Sequence, residues 1–422
     1  ARNQRSGPCF VKVPLALPPL EPIGKSTWTH PENPVWNRAM TVLTDSAQVA
    51  QFCARLKGEP FVTVDTEFMR ERTYYSQLCL IQIAGAHEAA AIDPLAEGID
   101  LAPVLDLLAD ESILKVFHAA RQDLEIFFHM TGQVPHPVFD TQVAAMVCGY
   151  GDQIGYEAIV RKVANKQIDK DSRFTDWIRR PLSDKQVTYA LADVTHLRTV
   201  YQALANQLEQ NGRTGWIEEE MTVLTSADTY RVDIGQVWQR IKIKGRKPRQ
   251  MAILREVAAW REQTAQRKDV PRNRIIKDDA LVQIATQQPK STDELGSIRL
   301  VPQGLSRSDD GKALVEAVDR ALAIPNDGLP RREFNGRPPP DAPAALVDLM
   351  KTLLRAKCDM EGVAPRLVAN MADIERFAAE DNAESPLMKG WRHDVFGRDA
   401  QRLKEGKLAL APDGDVLKLI EI

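Results

Sequence analysis

Residues 60–75 read PFVTVDTEFMRERTYY, and this stretch places two acids at the end of a strand-like run. The apolar, β-branched run ending at Val64 favours a strand, whereas Asp65 and Glu67 are poor strand formers. Because successive side chains of a strand point to opposite faces, these two acids share one side of the sheet. Neighbouring carboxylates repel each other, and a hard divalent cation removes that repulsion. Taken alone, the pair fits a metal site or a solvated strand end.

The segments around this strand predict an α/β domain. Strand-like segments span residues 61–65, 76–85, 88–94 and 112–118, and helix-like segments span residues 46–56, 100–109 and 119–132. Most of residues 140–210 also has a helical pattern. A three-strand meander followed by alternating helix and strand predicts a mixed sheet flanked by helices, ending near Gly212.

The sequence after Gly212 predicts two all-helical domains. Strand signals fade there, and a proline-rich segment, IPNDGLPRREFNGRPPPDAP, separates two helix-rich stretches. VPRNRIIKDDAL from Val270 and APRLVANMADIE from Ala364 carry Pro, Arg and Asp at equal offsets, which favours an internal duplication. The predicted divisions are an N-terminal extension (1–38), an α/β domain (39–213), a first helical domain with a connecting helix (214–325), a linker (326–341) and a second helical domain (342–422).

Composition narrows the class of protein. The 422 residues are 44% hydrophobic and 27% charged with a net charge of −3, which is typical of globular domains. No stretch approaches the roughly 18 consecutive apolar residues that span a membrane. Five scattered cysteines without a CxxC pair argue against a zinc site and predict a reducing, cytoplasmic compartment. The first residues lack the apolar core of a secretory signal and predict a poorly ordered extension.

The segment HAARQDLEIFF, from His118, contributes another candidate acid. Asp123 follows a predicted strand and falls in the first turn of the next helix. It is either part of an acidic site or a charge that favours the positive end of the helix dipole. His118 is predicted to be a hydrogen-bonded core or rim residue rather than a metal ligand.

The segment SDKQVTYALADVTHL, from Ser183, contributes the last candidates. Ser183 is a predicted N-cap, and Tyr189 and Asp193 then lie four residues apart on one helical face. The alternative is a tyrosine packed on the core beside a surface acid. Asp140, in VFDTQVAAM, is predicted to be an N-cap and is left out of the acidic set.

Together these segments resemble the ribonuclease D family. The resemblance is carried by VDTEFMRERTYYSQLCLIQIA, VFHAARQDLEIFF, DWIRRPLSDKQVTYALADV and the later LREVAAWRE and VPRN. It covers most of residues 40–211 and continues more loosely to the chain end. Family members are DEDD-type 3′→5′ exonucleases with a ribonuclease-H-like fold and HRDC domains. The resemblance therefore implies that fold for the α/β domain and two HRDC domains after it.

The family motif implies a catalytic set of five residues. Carried over by position, Asp65 and Glu67 form the first motif, Asp123 the second, and Tyr189 with Asp193 the third. In the family's other branch a histidine stands five residues before the last aspartate. This sequence has a threonine there, which makes it the tyrosine subtype.

The resemblance also implies two-metal phosphodiester hydrolysis. Asp65, Glu67, Asp123 and Asp193 would hold two Mg²⁺ or Mn²⁺ ions about 3.5–4 Å apart. Asp65 would bridge both ions, Glu67 and Asp193 would help hold the ion beside the attacking water, and Asp123 the other. Tyr189, with a reference pKa near 10, would orient the water rather than deprotonate it.

Substrate contacts are predicted from aromatic and basic residues near these motifs. In KDSRFTDWIRRPLS, Arg173 and Arg179 are candidates for gripping phosphates and Trp177 for stacking a base. Trp177 would otherwise anchor a surface loop. Thr66 and Phe68, beside the first motif, are further candidates, with core packing as the alternative for Phe68.

A basic stretch in the first helical domain is predicted to contact phosphates. Residues 242–277 contain twelve Lys and Arg against three acids. A solvated helix face usually mixes the signs more evenly, so contact with a nucleic-acid backbone is favoured.

The functional hypothesis is a metal-dependent exonuclease that trims RNA 3′ ends. The family resemblance implies that tRNA precursors or other structured RNAs are the substrates. The alternatives are a 3′→5′ DNA exonuclease with the same chemistry and a non-catalytic nucleic-acid-binding scaffold. A monomer is the favoured oligomeric state, and no membrane partner is expected.

Overall fold

A computed structural model describes residues 42–168, 175–243, 247–330, 342–380 and 385–422. The predicted extension at residues 1–38 lies outside the described residues, as do Arg173 and most of the predicted linker. None of the helices within the described ranges is long and apolar enough to cross a bilayer.

In the part of the chain that the structure describes, six strands form one mixed sheet in the order β1-β4-β3-β2-β5-β6. They are β1 (Val42–Leu43), β2 (Phe61–Met69), β3 (Gln77–Ala84), β4 (Ala89–Ile92), β5 (Leu114–Phe117) and β6 (Val138–Asp140). The antiparallel meander β2-β3-β4 was predicted, and β3 runs opposite to the other five strands. The sequence does not predict β1 or β6, because two or three residues are too few to show an alternating pattern.

Among the described residues seven α-helices accompany this sheet, and capping residues mark several of their ends. They are α1 (Ser46–Leu56), α2 (Ala102–Ala109), α3 (Arg121–Thr131), α4 (Thr141–Val147), α5 (Tyr156–Ala164), α6 (Asp184–Gln210) and α7 (Thr214–Leu224). The predicted N-cap Ser183 forms a capping box with Gln186 at the start of α6. Gly132 ends α3 with a left-handed φ of 74°, a conformation that glycine adopts without steric cost.

The long helix α6 packs across β2, β3, β4 and β5. Its side chains Leu197, Val200 and Leu204 are buried in the main apolar core. In addition, Thr63 Oγ1 of β2 donates a 2.8 Å hydrogen bond to the backbone carbonyl of Val194. Since β2 carries Asp65 and α6 carries Asp193, this bond fixes the two acid-bearing elements relative to each other.

The first helical region, residues 248–322, has its own apolar core. Its helices are α8 (Pro248–Lys268), α9 (Arg272–Ile275), α10 (Asp278–Gln287), α11 (Thr292–Ser297), α12 (Gln303–Ser306) and α13 (Asp309–Leu322). Leu254, Leu281, Leu314 and Val318 are fully buried in that core.

The second helical region, residues 344–404, repeats the start of this succession. Its helices are α14 (Ala344–Glu361), α15 (Pro365–Val368), α16 (Met371–Ala379), α17 (Gly390–Arg392) and α18 (Arg398–Lys404). In both regions a long helix ends at a left-handed residue, Asp269 or Gly362, and a four-residue helix follows. The stretches that showed the internal likeness therefore begin equivalent elements.

The chain ends in a β-hairpin, so the prediction of an all-helical second domain was wrong at this end. Strands β7 (Leu408–Asp413) and β8 (Val416–Glu421) pair antiparallel around Gly414, whose φ is 61°. The sequence LALAPDGDVLKLIE contains the signal, namely an alternating apolar pattern interrupted by Asp-Gly.

The second helical region is docked on the α/β region. Trp216 of α7 and Trp391 of α17 stack with ring centroids 4.5 Å apart and an interplanar angle of 11°. The backbone N–H of Ala364 donates a 3.0 Å hydrogen bond to the carbonyl of Met146. These contacts lie at the C-terminal end of α4 and along α7, and so hold the second region beside the α/β core.

Candidate active site

Asp65 and Glu67 lie within β2, which continues two residues past them to Met69. Both are half-buried, whereas Thr66 between them is 6% exposed and points to the other side. The register with β3 shifts directly after Glu67, so that Phe68 pairs with Leu78. A bulge of this kind bends a strand and re-aims its side chains, and it ends the regular ladder at the site.

Asp193 of α6 joins the two β2 acids. One carboxylate oxygen each from Asp65, Glu67 and Asp193 lies within 4.8 Å of the other two. Asp193 is 7% exposed and the other two acids are half-buried, so the group is largely shielded from solvent. The structure thus brings together three of the four residues named as metal ligands, and their role as ligands stays a prediction.

Asp123 approaches the same group from α3. It is 6% exposed and accepts a short hydrogen bond from the hydroxyl of Thr66. Among the described residues, Asp123 is not part of a group of three carboxylates as close as that of Asp65, Glu67 and Asp193. The charge of Asp123 nevertheless interacts with that of Asp65. The charge of Asp65 therefore interacts with the charges of both Asp193 and Asp123.

Asp140 positions the start of α3. It is the N-cap of α4, as predicted, since it accepts from the N–H of Gln142 at 2.8 Å. It also accepts from the N–H groups of Ala119 and Ala120 at 3.0 and 2.9 Å. Ala119 has a left-handed φ of 59°, which is rare for a residue with a Cβ and costs of order 1 kcal/mol. The Asp140 carboxylate thus holds the strained turn that orients Asp123.

The electrostatics of the acids differ from those of isolated carboxyls. Burial raises the pKa of Asp65 well above its ordinary value, and the charge of Asp193 raises it further. Burial also raises the pKa of Asp123, and the charge of Asp65 adds to the effect. Neither Asp65 nor Asp123 forms an ion pair with any residue that the structure describes. A cation from outside the protein would therefore relieve both groups.

Tyr189 lies one helical turn before Asp193 and is hydrogen-bonded to its carboxylate. Burial raises the pKa of the Tyr189 phenol, and the charges of Asp193, Glu67 and Asp65 raise it further. The hydroxyl is therefore un-ionised at neutral pH and can donate or accept a hydrogen bond at the rim of the acidic group. The Trp177 ring lies 6.2 Å from the Tyr189 ring, centroid to centroid, and packs behind it.

Tyr156 is a member of the site that the sequence did not indicate. Its hydroxyl donates to the backbone carbonyl of Asp193, and burial raises its pKa well above the ordinary value. His118 lies next to it, with ring centroids 5.4 Å apart, and is hydrogen-bonded to Thr141 and to the carbonyl of Ile154. The expectation of a structural His118 agrees with these contacts. No pattern in the sequence around Tyr156 distinguishes it from a core tyrosine.

Two of the predicted substrate contacts need correction. Trp177 is 2% exposed and packs with Cys79, Leu80 and Leu191, so its ring offers no face to a base. Its alternative role, anchoring the segment before α6, is the one observed. Thr66 is also buried, and its hydroxyl is engaged with Asp123 rather than turned toward a substrate.

The other two predicted substrate contacts within the described residues, Arg179 and Phe68, stay predictions. Arg179 is exposed and Phe68 is half-buried beside Glu67, so both side chains can reach a ligand. Arg180, the neighbour of Arg179, instead binds Asp93 at 2.7 Å and the carbonyl of Cys79 at 2.6 Å. Sequence alone could not decide which of the two arginines is structural.

Half of the basic side chains in residues 242–277 are engaged within the protein, so the predicted phosphate contact stays a prediction for the remainder. Six of the twelve basic side chains bind groups within the protein: Arg249, Arg255, Arg261, Arg267, Lys268 and Arg272. Asp278 directly follows the counted stretch and Asp310 lies well beyond it. Folding brings Asp278 into contact with Arg261 and Asp310 into contact with Arg267 and Lys268. The exposed remainder among the described residues is Lys242, Lys247, Arg274 and Lys277.

Comparisons with known proteins agree with this geometry. A family model described as 3′-5′ exonuclease matches residues 40–209, and one described as HRDC domain matches residues 250–318. The second helical region has no part in the HRDC match, so a second HRDC domain stays a prediction.

Curated relatives share most of the chain. Ribonuclease D from Nitrobacter hamburgensis is 49% identical over 377 residues, covering 88% of this chain and 97% of that protein. Ribonuclease D from Jannaschia sp. is 48% identical over 384 residues, covering 90% and 99%. The crystal structure of Escherichia coli RNase D, described as an exoribonuclease involved in structured RNA processing, superposes with a TM-score of 0.75 at 29% identity, covering 87% of this chain and 98% of that one. This chain therefore belongs to the ribonuclease D family of 3′–5′ exoribonucleases.

Proposed function

We propose that the enzyme removes nucleotides from RNA 3′ ends by metal-dependent hydrolysis and releases nucleoside 5′-monophosphates. The observation that carries this proposal is the convergence of carboxylate oxygens from Asp65, Glu67 and Asp193 within 4.8 Å. Three buried or half-buried acids at this spacing have no structural purpose that apolar or amide side chains would not meet at lower cost.

The donor set fits hard divalent cations such as Mg²⁺ or Mn²⁺. All the donors are carboxylate oxygens, which these ions prefer. The half-buried Asp65 and the buried Asp123 have no basic partner among the described residues, so bound cations would supply the missing charge. Asp65, Glu67 and Asp193 would hold one ion, and Asp65 with Asp123 the second.

The ions would supply an activated water and neutralise the charge on the leaving oxygen. Tyr189 would orient the water through its un-ionised hydroxyl. Tyr156 would hold the backbone of Asp193, and Thr66 and Asp140 would hold Asp123, so that the acids keep their spacing. Phe68 and Arg179 would contact the terminal nucleotides of the substrate.

RNA is the proposed substrate, with precursors of tRNA and other structured RNAs as the proposed natural class. The family assignment and the description of the Escherichia coli relative support this choice. The four described cysteines are free, which supports a reducing compartment such as the cytoplasm. We also propose the division into domains given above, with the boundary of the exonuclease domain near residue 213.

The test is digestion of 5′-labelled RNA and DNA of one sequence, with Mg²⁺ and with EDTA. We expect stepwise shortening of the RNA from its 3′ end with Mg²⁺ only. The control variant Asp193→Asn should not shorten the RNA. Faster digestion of the DNA would favour the DNA exonuclease. Binding of RNA without shortening in any condition would favour a non-catalytic scaffold, and either result would overturn the proposal.

A further inference from the structure

A cleft of about 350 Å³ lies between the loop after β2 and the first helical region. Arg70 and Tyr74 form one wall, and Arg240, Arg272 and Asn273 line the opposite wall. Arg70 follows Glu67 by three residues, so along an extended strand their Cα atoms are about 10 Å apart. The cleft is therefore adjacent to the acidic site without being part of it.

The walls of the cleft are held together by a dense set of hydrogen bonds. The backbone N–H groups of Tyr74 and Tyr75 each donate to the carboxylate of Asp269 at 3.0 Å. The Tyr74 hydroxyl donates to Glu262, and Gln266 donates to that hydroxyl at 3.1 Å. The shape of the cleft is consequently set before a ligand arrives, which lowers the entropic cost of binding.

The lining of the cleft has an excess of positive charge. Arg70, Arg240, Arg261 and Arg272 face two acids, Glu262 and Asp278. Within the cleft, Glu262 accepts from Arg272. Asp278 accepts from Arg261. Arg70 pairs with Glu125, which lies outside the cleft, at 3.0 Å. Three of the arginines are thus compensated, and the surplus charge belongs to Arg240.

Arg240 and Asn273 are free to bind a ligand. Both are exposed, and neither forms a hydrogen bond or ion pair with the described residues. The side chains of Arg70 and Arg272 remain 44% and 39% exposed despite their partners, so each keeps unused N–H donors. A cluster of guanidinium and amide donors around one surplus charge matches the acceptor oxygens of a phosphate group.

We infer that this cleft binds a phosphodiester group of the RNA strand, upstream of the 3′ end held at the carboxylates. The inference rests on the proposed function for its ligand. It assigns a specific contact to Arg240, which lies before the basic stretch that the sequence suggested for this role. The loop between β2 and β3 then links the phosphate site to Glu67.

The test compares Arg240→Ala with the wild-type full-length enzyme on two RNAs, an octanucleotide and a dinucleotide, in Mg²⁺. Loss of one charged contact should raise KM for the octanucleotide about tenfold and leave kcat unaltered. The dinucleotide has a single phosphodiester, which binds at the carboxylate site. Its KM should therefore be the same in Arg240→Ala and in the wild type. The salt dependence of log(kcat/KM) for the octanucleotide should become shallower by about 0.7.

Arg299→Ala is the matched control, because Arg299 is an exposed arginine of the first helical region that does not line the cleft. Arg240→Lys should recover part of the octanucleotide KM, since it restores the charge. Equal KM values in Arg240→Ala and Arg299→Ala would overturn the inference. If the wild-type enzyme hydrolyses neither RNA, the proposed function fails instead.

A second arm separates RNA from free phosphate. Thermal melting in EDTA is measured with and without inorganic phosphate at constant ionic strength. A stabilisation by phosphate that Arg240→Ala loses, together with an unaltered octanucleotide KM, would assign the cleft to a free anion and overturn the RNA contact. A raised octanucleotide KM supports the inference.

Discussion

Two buried acids in different parts of the molecule have opposite electrostatic surroundings. Asp123 in the α/β region is 6% exposed, has no basic partner among the described residues, and its pKa is raised by burial. Glu262 in the first helical region is 1% exposed, and burial alone would raise its pKa too. Hydrogen bonds from Arg272 and Tyr74 outweigh that effect and lower the pKa of Glu262.

The difference shows where this protein keeps uncompensated charge. At Glu262 the chain supplies its own cation, and the acid contributes to docking the helical region on the β2–β3 loop. At Asp65 and Asp123 the chain supplies more acid instead, which destabilises the metal-free protein but prepares a site for external cations. Substitutions that neutralise one acid at a time should therefore have opposite effects in the two places.

The largest expected effect is on catalysis. Asp65→Asn should lower the rate of RNA hydrolysis by at least about 10³-fold, equivalent to roughly 4 kcal/mol, because it removes the acid between the two proposed ion sites. Glu262→Gln should retain hydrolysis of a dinucleotide to within about one order of magnitude. Single-turnover rates at saturating Mg²⁺ measure both. Comparable losses in the two variants would remove the distinction drawn between the acids.

Tyr189→Phe should have the next largest effect. Removing a hydroxyl that orients the attacking water should lower kcat by about 10²- to 10⁴-fold. Since the four acids remain, the affinity for Mn²⁺ in calorimetry should stay close to the wild-type value. An unaltered kcat would exclude Tyr189 from the mechanism.

Stability without metal should change in opposite directions. In EDTA near neutral pH, Asp123→Asn should raise the free energy of unfolding, because it removes an acid whose pKa burial raises. Glu262→Gln should lower it by about 1–2 kcal/mol, because a buried hydrogen-bonded charge pair is weakened. Urea denaturation measures both changes. A loss of stability in Asp123→Asn would show that its charge is compensated after all.

The smallest expected effect is on the pH dependence of stability. The raised pKa values of Asp65 and Asp123 mean that the folded protein holds protons that the unfolded chain releases near the ordinary Asp value of about 3.9. Their contribution is thus greatest at low pH and is lost as the pH rises toward the raised values. In EDTA, the wild type should lose more stability between pH 4.5 and pH 7 than Asp123→Asn. Parallel profiles for the two proteins would contradict the uncompensated burial of Asp123.

Much of the site could be predicted because its signals are local. The two-residue spacing of Asp65 and Glu67 determines that they share a side of the sheet, and the four-residue spacing of Tyr189 and Asp193 determines that they share a helix face. Ser183 and Asp140 were identified as caps from residue type alone. Each of these inferences needs only the geometry of a single strand or helix.

What the sequence did not reveal depends on residues far apart in the chain. Trp177 is buried because α6 and β3 pack around it, and Arg180 rather than Arg179 is structural because Asp93 lies within reach. Two side chains of the basic stretch, Arg267 and Lys268, are paired with Asp310, which folding brings to them. Asp140 also holds the strained turn before Asp123 by accepting hydrogen bonds from it. This contact joins residues about twenty positions apart and could not be predicted from the local sequence.

The most direct measurement of the central claim is anomalous diffraction from a crystal soaked in Mn²⁺. The account predicts one peak bound by oxygens of Asp65, Glu67 and Asp193, and a second between Asp65 and Asp123, about 3.5–4 Å from the first. Well-ordered density for all four carboxylates with no anomalous peak among them would contradict it.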